Sequence, residues 1–328
     1  MRRTSVSRLG REVSVIGLGC WQLGSDWGDV DPGRSQEILH AAADAGTTFF
    51  DTADVYGDGL SERAVGEFLA ARTDAASFTV ATKMGRRAQP HVPSAYTLDA
   101  FRAWTDRSRA NLGMDTLDLV QLHCPPPAVL HDGATYDALR TLVDEGAIRR
   151  WGVSVETCDE ALRALEEPDV ASIQIILNVF RRKPLEAVLG RAAATGTAII
   201  ARVPLASGLL SGRYDETTTF APNDHRSFNR AGAAFDVGET FAGVPFEVGV
   251  HAARQVATLT PDGWSTAQLA LRWVEQNGAT TVIPGARTPE QARDNAAVGD
   301  LPPLDESTLD ELAQIYDREI RAHVHERW

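Results

Sequence analysis

Along the chain, short apolar runs bounded by turn residues alternate with longer stretches whose apolar positions follow a helical period. The short runs are Val15–Leu18, Thr48–Asp51, Thr79–Thr82, Leu117–Leu122, Arg150–Val153, Ser172–Leu177, Ala198–Ala201 and Thr281–Ile283. They are rich in Val, Ile and Leu and do not alternate strictly, which predicts strands buried on both faces. The helix-like stretches are Ser35–Ala45, Ser61–Ala71, Leu98–Leu112, Tyr136–Glu145, Cys158–Glu166, Pro184–Thr195 and Glu247–Leu259. Pro184 suits a first helical turn, and Gly46, Gly113, Gly146 and Gly196 each follow a helix-like run. A phrase of helix, glycine and strand, repeated along the chain, is what a βα unit needs. Eight such strands favour an α/β (β/α)8 TIM barrel over a doubly wound sheet.

Two places break the rhythm. Thr4–Val15 reads as a β-hairpin turning at Leu9-Gly10-Arg11, placed to cap the bottom of the barrel. The stretch from Ser207 to Pro245 is long, polar and rich in Gly, Pro, Asn and Thr, as functional or disordered loops are. From Leu304 onward the pattern predicts a final amphipathic helix. Nothing resembles a linker, so residues 1–328 are expected to form one domain.

Composition narrows the function. With 328 residues and 43% hydrophobic content, the chain can bury a large core. A net charge of −13 argues against non-specific nucleic-acid binding and against acidic membranes, both of which select cationic faces. An anionic ligand would need positive charge concentrated locally. The three cysteines, Cys20, Cys124 and Cys158, form no C-x-x-C pair and suit a reducing compartment. The N-terminal residues are basic but lack the apolar run of a signal peptide, and no run reaches membrane-spanning length, so a cytoplasmic location is expected.

Four polar side chains fall at the carboxyl ends of predicted strands, where barrel active sites are built. FFDTADVYG supplies Asp51 and Tyr56, VATK supplies Lys83, and VQLH supplies His123. An ammonium beside a phenol favours the phenolate and should lower the tyrosine's pKa, and a carboxylate would hold that ammonium in place. A histidine nearby can donate to an oxygen that gains negative charge. The set amounts to a general acid with an oxyanion site. It contains no strong nucleophile. A metal-dependent barrel would need several converging ligands, and His123 is the only histidine at a predicted strand end.

These motifs, with GVS at Ser154, VPLASGLLSG and IPGARTPEQARDN, resemble the aldo-keto reductase superfamily, from Leu9 to about Asn295. The similarity is to its bacterial short-loop branch. It implies NADPH-dependent reduction of an aldehyde, ketone or sugar carbonyl, with Asp51, Tyr56, Lys83 and His123 as the tetrad and Tyr56 as the acid. It also implies a cofactor lying along Gly19, Cys20 and Trp21, beside Asp51. Its carboxamide would be held by Ser154 and Gln174, with Arg202 against the nicotinamide. The pyrophosphate would pass Pro204, Leu205, Ser207, Leu209, Gly212 and Arg213. The adenosine phosphate would sit at Pro284, Gly285 and Arg287, with Gln291 and Asn295 on the adenine side.

Thr288 as N-cap and Pro289 at the first helical position agree with that last site, because a helix N-terminus binds anions. Two positions depart from the usual pattern. Val155 follows Ser154 where the family often has asparagine, and Arg202 stands where many members stack a tyrosine. Trp21, Trp27, Tyr56, His123 and Phe180 are the candidate substrate walls, and an apolar pocket is expected. Some barrels with this tetrad serve instead as cofactor-sensing subunits. No metal, nucleic acid or membrane partner is expected, and the oligomeric state is left open.

Overall fold

The computed structural model describes residues 1–24 and 31–328, and it realises the βα phrasing unit for unit. The chain opens with strands β1 (Arg3–Ser5) and β2 (Glu12–Ser14), an antiparallel hairpin. There follow β3 (Leu18–Gly19), β4 (Phe49–Asp51), β5 (Thr79–Met84), β6 (Leu119–His123), β7 (Trp151–Ser154), β8 (Ser172–Ile176), β9 (Ala198–Arg202) and β10 (Thr281–Val282). These eight pair in parallel with their sequence neighbours. Bridges between Ile16 and Val282 and between Gly19 and Gly285 join the first strand to the last and close the barrel. The approach at this seam is close, since a Cβ on Gly19 would fall 2.8 Å from the Ile283 carbonyl oxygen.

The helices are α1 (Pro32–Asp44), α2 (Leu60–Ala70), α3 (Leu98–Leu112), α4 (Gly133–Asp144), α5 (Cys158–Ala164), α6 (Pro184–Thr195), the short α7 (His225–Phe228), α8 (Phe246–Ala257), α9 (Thr266–Gln276), α10 (Pro289–Ala297), α11 (Glu306–Ile315) and α12 (Arg321–Val324). Their starts carry the expected caps. Thr97 accepts from Ala100 N at α3, and Thr157 with Glu160 forms a capping box at α5. Gly113 and Gly196 end α3 and α6 in the left-handed conformation that glycine adopts most readily.

Sequence reasoning did not single out α9. Its signal was present as a second capping box, Ser265 with Gln268, ahead of a strongly amphipathic run. The 207–245 segment is built rather than irregular, with helical turns at Ala206–Ser211, α7, Val237–Glu239 and Phe241–Gly243.

The hairpin sits where it was expected. Leu9 and Val13 pack with Phe49, Ala81, Leu119, Ala198, Ile200 and Ile283 inside the barrel, so the lower end is plugged by apolar side chains. Among the described residues, no helix is long and apolar enough to cross a membrane.

Candidate active site

The three strands β4, β5 and β6 each deliver one side chain to the same point. Lys83 Nζ donates to Asp51 Oδ1 at 2.5 Å, to the Thr52 carbonyl at 2.9 Å and to the Tyr56 hydroxyl at 3.3 Å. Gln174 Nε2, from β8, donates to the other Asp51 oxygen at 2.7 Å. Tyr56 lies in the loop after β4, and that loop rests on Gly24, where a Cβ would come within 2.6 Å of the tyrosine backbone. Trp21 stacks on the Tyr56 ring with centroids 5.9 Å apart, and His123 meets it edge-on at 5.8 Å. Asp51, Lys83 and His123 are all buried.

Burial shapes the acidities here. It draws the Lys83 ammonium down, but Asp51 and Tyr56 outweigh it and leave the lysine raised and charged. Burial pushes the Tyr56 phenol up to about 12, against the opposing pull of Lys83. The expected lowering of this pKa is therefore not found: desolvation of the phenolate exceeds the lysine's stabilisation of it. His123 is held well below its ordinary range, first by burial and then by Arg86, Lys83 and Arg202.

A chain of charges lies beside these residues. Arg86 Nη1 is 2.8 Å from Glu239 Oε1 and 3.3 Å from His123 Nε2. Arg202 Nη2 donates to Glu156 Oε2 at 2.8 Å and to the Val155 carbonyl at 3.0 Å. Burial raises the Glu156 carboxyl, whereas Arg86 and Arg202 overcome burial at Glu239 and hold it ionised. Cys124 Sγ and these two carboxylates lie within 4.8 Å of one another, but both carboxylates already serve guanidiniums, so the cluster is better satisfied as an ion network than as a metal cage. Cys124 (φ 46°) and Val203 (φ 51°), which directly follow His123 and Arg202, adopt strained left-handed backbone.

The 207–245 segment is fastened across the top. Ser207 Oγ donates to the Glu239 carbonyl and accepts from Phe241 N, while Arg226 bonds Asp224 and the Tyr214 hydroxyl. Behind it, Trp328 donates to Asp236 at 3.1 Å, and the Arg181 guanidinium lies 3.7 Å over the Trp328 ring.

These elements enclose a cavity of about 490 Å³ that runs from Tyr56 and His123 to the start of α10. A model of the aldo/keto reductase family matches residues 15–317. The chain belongs to this family. It is 32% identical over 300 residues to the aldo-keto reductase YhdN of Bacillus subtilis (strain 168), covering 89% of this chain and 86% of that protein. Among solved structures, the glycerol dehydrogenase AKR11B4 of Gluconobacter oxydans is similar with a TM-score of 0.78 and 28% identity, over 97% of this chain and 96% of that one. An aldo-keto reductase of Klebsiella pneumoniae, solved in complex with NADPH, follows at 0.70 and 25%, over 96% of each chain.

Within this family frame the cavity collects most of the residues singled out from sequence. Gly19, Trp21, Asp51, Tyr56, His123, Gln174 and Arg202 line one end. Pro204, Leu205, Ser207 and Arg213 line the middle, and Pro284, Gly285, Arg287, Gln291 and Asn295 the far end. At that end Thr288 caps α10 as expected, Gln291 Oε1 accepts from Arg287 N at 2.8 Å, and Asn295 Nδ2 donates to the Gly285 carbonyl.

Five positions differ. Phe180 is wholly buried in the core with Leu177, Val179 and their neighbours, so it is no substrate wall: β8 has ended and the chain turns inward there. Leu209 is likewise a core side chain, packed against Gly249, and Gly212 contributes no wall. Cys20 is buried behind Gly19, and Ser154 is buried beside Cys124 at 3.8 Å, neither lining the cavity. Asn178, just beyond β8, is engaged by the Val203 carbonyl and Phe180 N and does not line the cavity. Trp27 lies outside the described residues.

Charged side chains join the apolar lining of the cavity, since Arg202 and Glu239 both face it. Sequence reasoning missed Glu239, Tyr214 and Arg226 because all three come from the long segment, whose path no local pattern fixes. Arg86 was missed although it stands only three residues past Lys83.

Proposed function

We propose that this protein, acting as one barrel unit, is an NADPH-dependent carbonyl reductase with Tyr56 as its general acid. The observation that carries this reading is the Tyr56 hydroxyl 3.3 Å from a lysine ammonium that is itself fixed by Asp51, at the closed end of a long cavity. The far end fits a dinucleotide phosphate. There the amides at the start of α10 and the Arg287 side chain, with Arg213 and Arg226 elsewhere along the cavity wall, bring cationic character to a chain of net charge −13. NADPH in the relative from Klebsiella pneumoniae supports the same choice of nucleotide.

When bound, that cofactor supplies a hydride to the carbonyl carbon. Tyr56 gives its proton to the carbonyl oxygen, which leaves as an alcohol. Lys83 then stabilises the phenolate, and Asp51 with Gln174 keeps the lysine charged and in place. A pKa of about 12 keeps Tyr56 protonated throughout the working range, ready as a donor. Glu239 and Arg202 offer an acceptor and a donor to hydroxyls next to the carbonyl, so hydroxylated aldehydes and sugars belong in the substrate class with simpler aldehydes and ketones. A relative from Pseudomonas is named D-threo-aldose 1-dehydrogenase, which agrees with that class.

The test is loss of NADPH absorbance with 4-nitrobenzaldehyde and with glyceraldehyde. Tyr56→Phe should lower kcat by at least ~10²-fold with NADPH binding nearly intact. Near-wild-type turnover in that variant would remove Tyr56 as the acid.

A further inference from the structure

Arg86 is not one of the four residues assigned to the reaction, yet it controls one of them. Its Nη1 faces both Glu239 Oε1 and His123 Nε2. A guanidinium has donors only, so His123 Nε2 must present its lone pair. The ring proton is then on Nδ1, which is buried and has no partner among the described residues. A histidine in this state cannot donate from Nε2.

The surroundings favour the neutral ring. Lys83 faces it from β5, Arg86 and His91 from the segment that follows, and Arg202 from β9. Tyr56 meets it from the loop after β4, and Glu239 reaches only as far as Arg86. Among the described residues, nothing anionic touches the imidazole to stabilise its charged form. Arg86 itself stays charged because Glu239, bonded at 2.8 Å, is ionised beside it.

We propose that Arg86 is a positioning residue for the reduction: anchored by Glu239, it holds His123 as a neutral ring with Nε2 as acceptor, so that the positive potential at the reacting oxygen comes from a fixed guanidinium and not from a titrating imidazolium. This rests on the carbonyl-reduction reading above and changes the part played by the histidine. It also gives the 207–245 segment a task, because Glu239 from that segment locks Arg86 in place.

Two measurements test it. The first is the ¹⁵N chemical shifts of the His123 imidazole in the wild-type protein with NADPH bound, from about pH 6 to pH 8. Nε2 should show the shift of an unprotonated nitrogen and Nδ1 that of a protonated one. The second is the pH profile of kcat with 4-nitrobenzaldehyde. The wild type should be flat through the ordinary range of histidine titration.

In Arg86→Met, kcat should fall roughly tenfold near pH 7.5 and recover in part towards pH 5.5, because losing one of the cations that hold His123 down lets its pKa rise and some imidazolium form. The KM for NADPH should stay within about twofold. Arg86→Lys, which keeps a donor and a charge, should retain the flat profile. A protonated Nε2 in the wild type would overturn the proposal even if Arg86→Met failed to fold, as would a methionine variant with wild-type kcat and a flat profile. Absence of wild-type turnover with every carbonyl tried would overturn the reduction reading itself, whereas turnover with a protonated Nε2 would overturn only the role of Arg86.

Discussion

Asp54, two residues before Tyr56, shows how a side chain beside the site carries a stability cost. It is fully buried, and Arg87 Nη1 stands 3.9 Å from its carboxylate. Burial and the charge of Glu62 push its pKa to about 7, despite Arg87 and Arg107. The folded protein therefore holds a proton that the unfolded chain releases near pH 4. Stability falls as pH rises through that window, and the loss persists above it. Asp54→Asn should remove the penalty. Its unfolding free energy relative to wild type, from denaturant titration, should climb between about pH 4 and pH 8, by an amount on the order of 2–4 kcal/mol at most. A difference independent of pH would show that the Asp54 carboxyl titrates normally.

The tetrad residues were legible one by one, because Asp51, Lys83 and His123 stand at or next to the ends of strands whose apolar runs are plain, and Tyr56 follows in the loop after the first of them. Lys83 is the last residue but one of β5 and His123 the last of β6, and their alternation towards the barrel axis follows from the strand itself. What could not be read was the balance of forces on them. The sequence places a lysine beside a tyrosine, but only burial decides that the phenol's pKa moves up. Ser154 and Cys20 show a similar limit: a strand end fixes a residue's position along the axis, but not whether its side chain clears the wall.

At the scale of elements, the hairpin and α10 make opposite contributions. Leu9, at the hairpin turn, is buried among barrel-interior side chains far from the upper face. Leu9→Ala should cost about 2–4 kcal/mol in chemical denaturation and leave the KM for NADPH unchanged. Arg287, ahead of α10, is exposed and makes no core contact. Arg287→Ala should weaken NADPH binding by roughly 5–10-fold in fluorescence titration, with little effect on NADH or on melting temperature. An unchanged preference for NADPH would shift the phosphate site to Arg213 or Arg226.

The hairpin, α10 and the order of strands all stood in the sequence, since each rests on local pattern, caps or turn residues. The segment 207–245 did not. Its course is set by distant partners such as Asp236 with Trp328 and Ser207 with Phe241, pairings that no spacing announces. Glu239 and its link to Arg86 belong to the same class of information.

For the whole molecule, the barrel is a ring with one join. Seven of its eight interfaces are ladders between strands adjacent in sequence, but the eighth is two bridges that unite the chain's early and late parts at Ile16 with Val282 and Gly19 with Gly285. Such a contact carries the largest loop-closure entropy in the fold and should be among the last to form and the first to open. The cavity straddles it, since Gly19 and Trp21 line one side and Ile283, Pro284 and Gly285 the other. A nucleotide held there acts as a rivet. Hydrogen exchange at Gly17, Gly19 and Val282, whose amides cross or flank the join, should slow more on NADPH addition than exchange at β6 or β7. At ligand concentrations near a hundredfold Kd the gain would approach ~2.7 kcal/mol. Cofactor supply would then govern how long the ring stays closed, and with it how readily proteases find the chain.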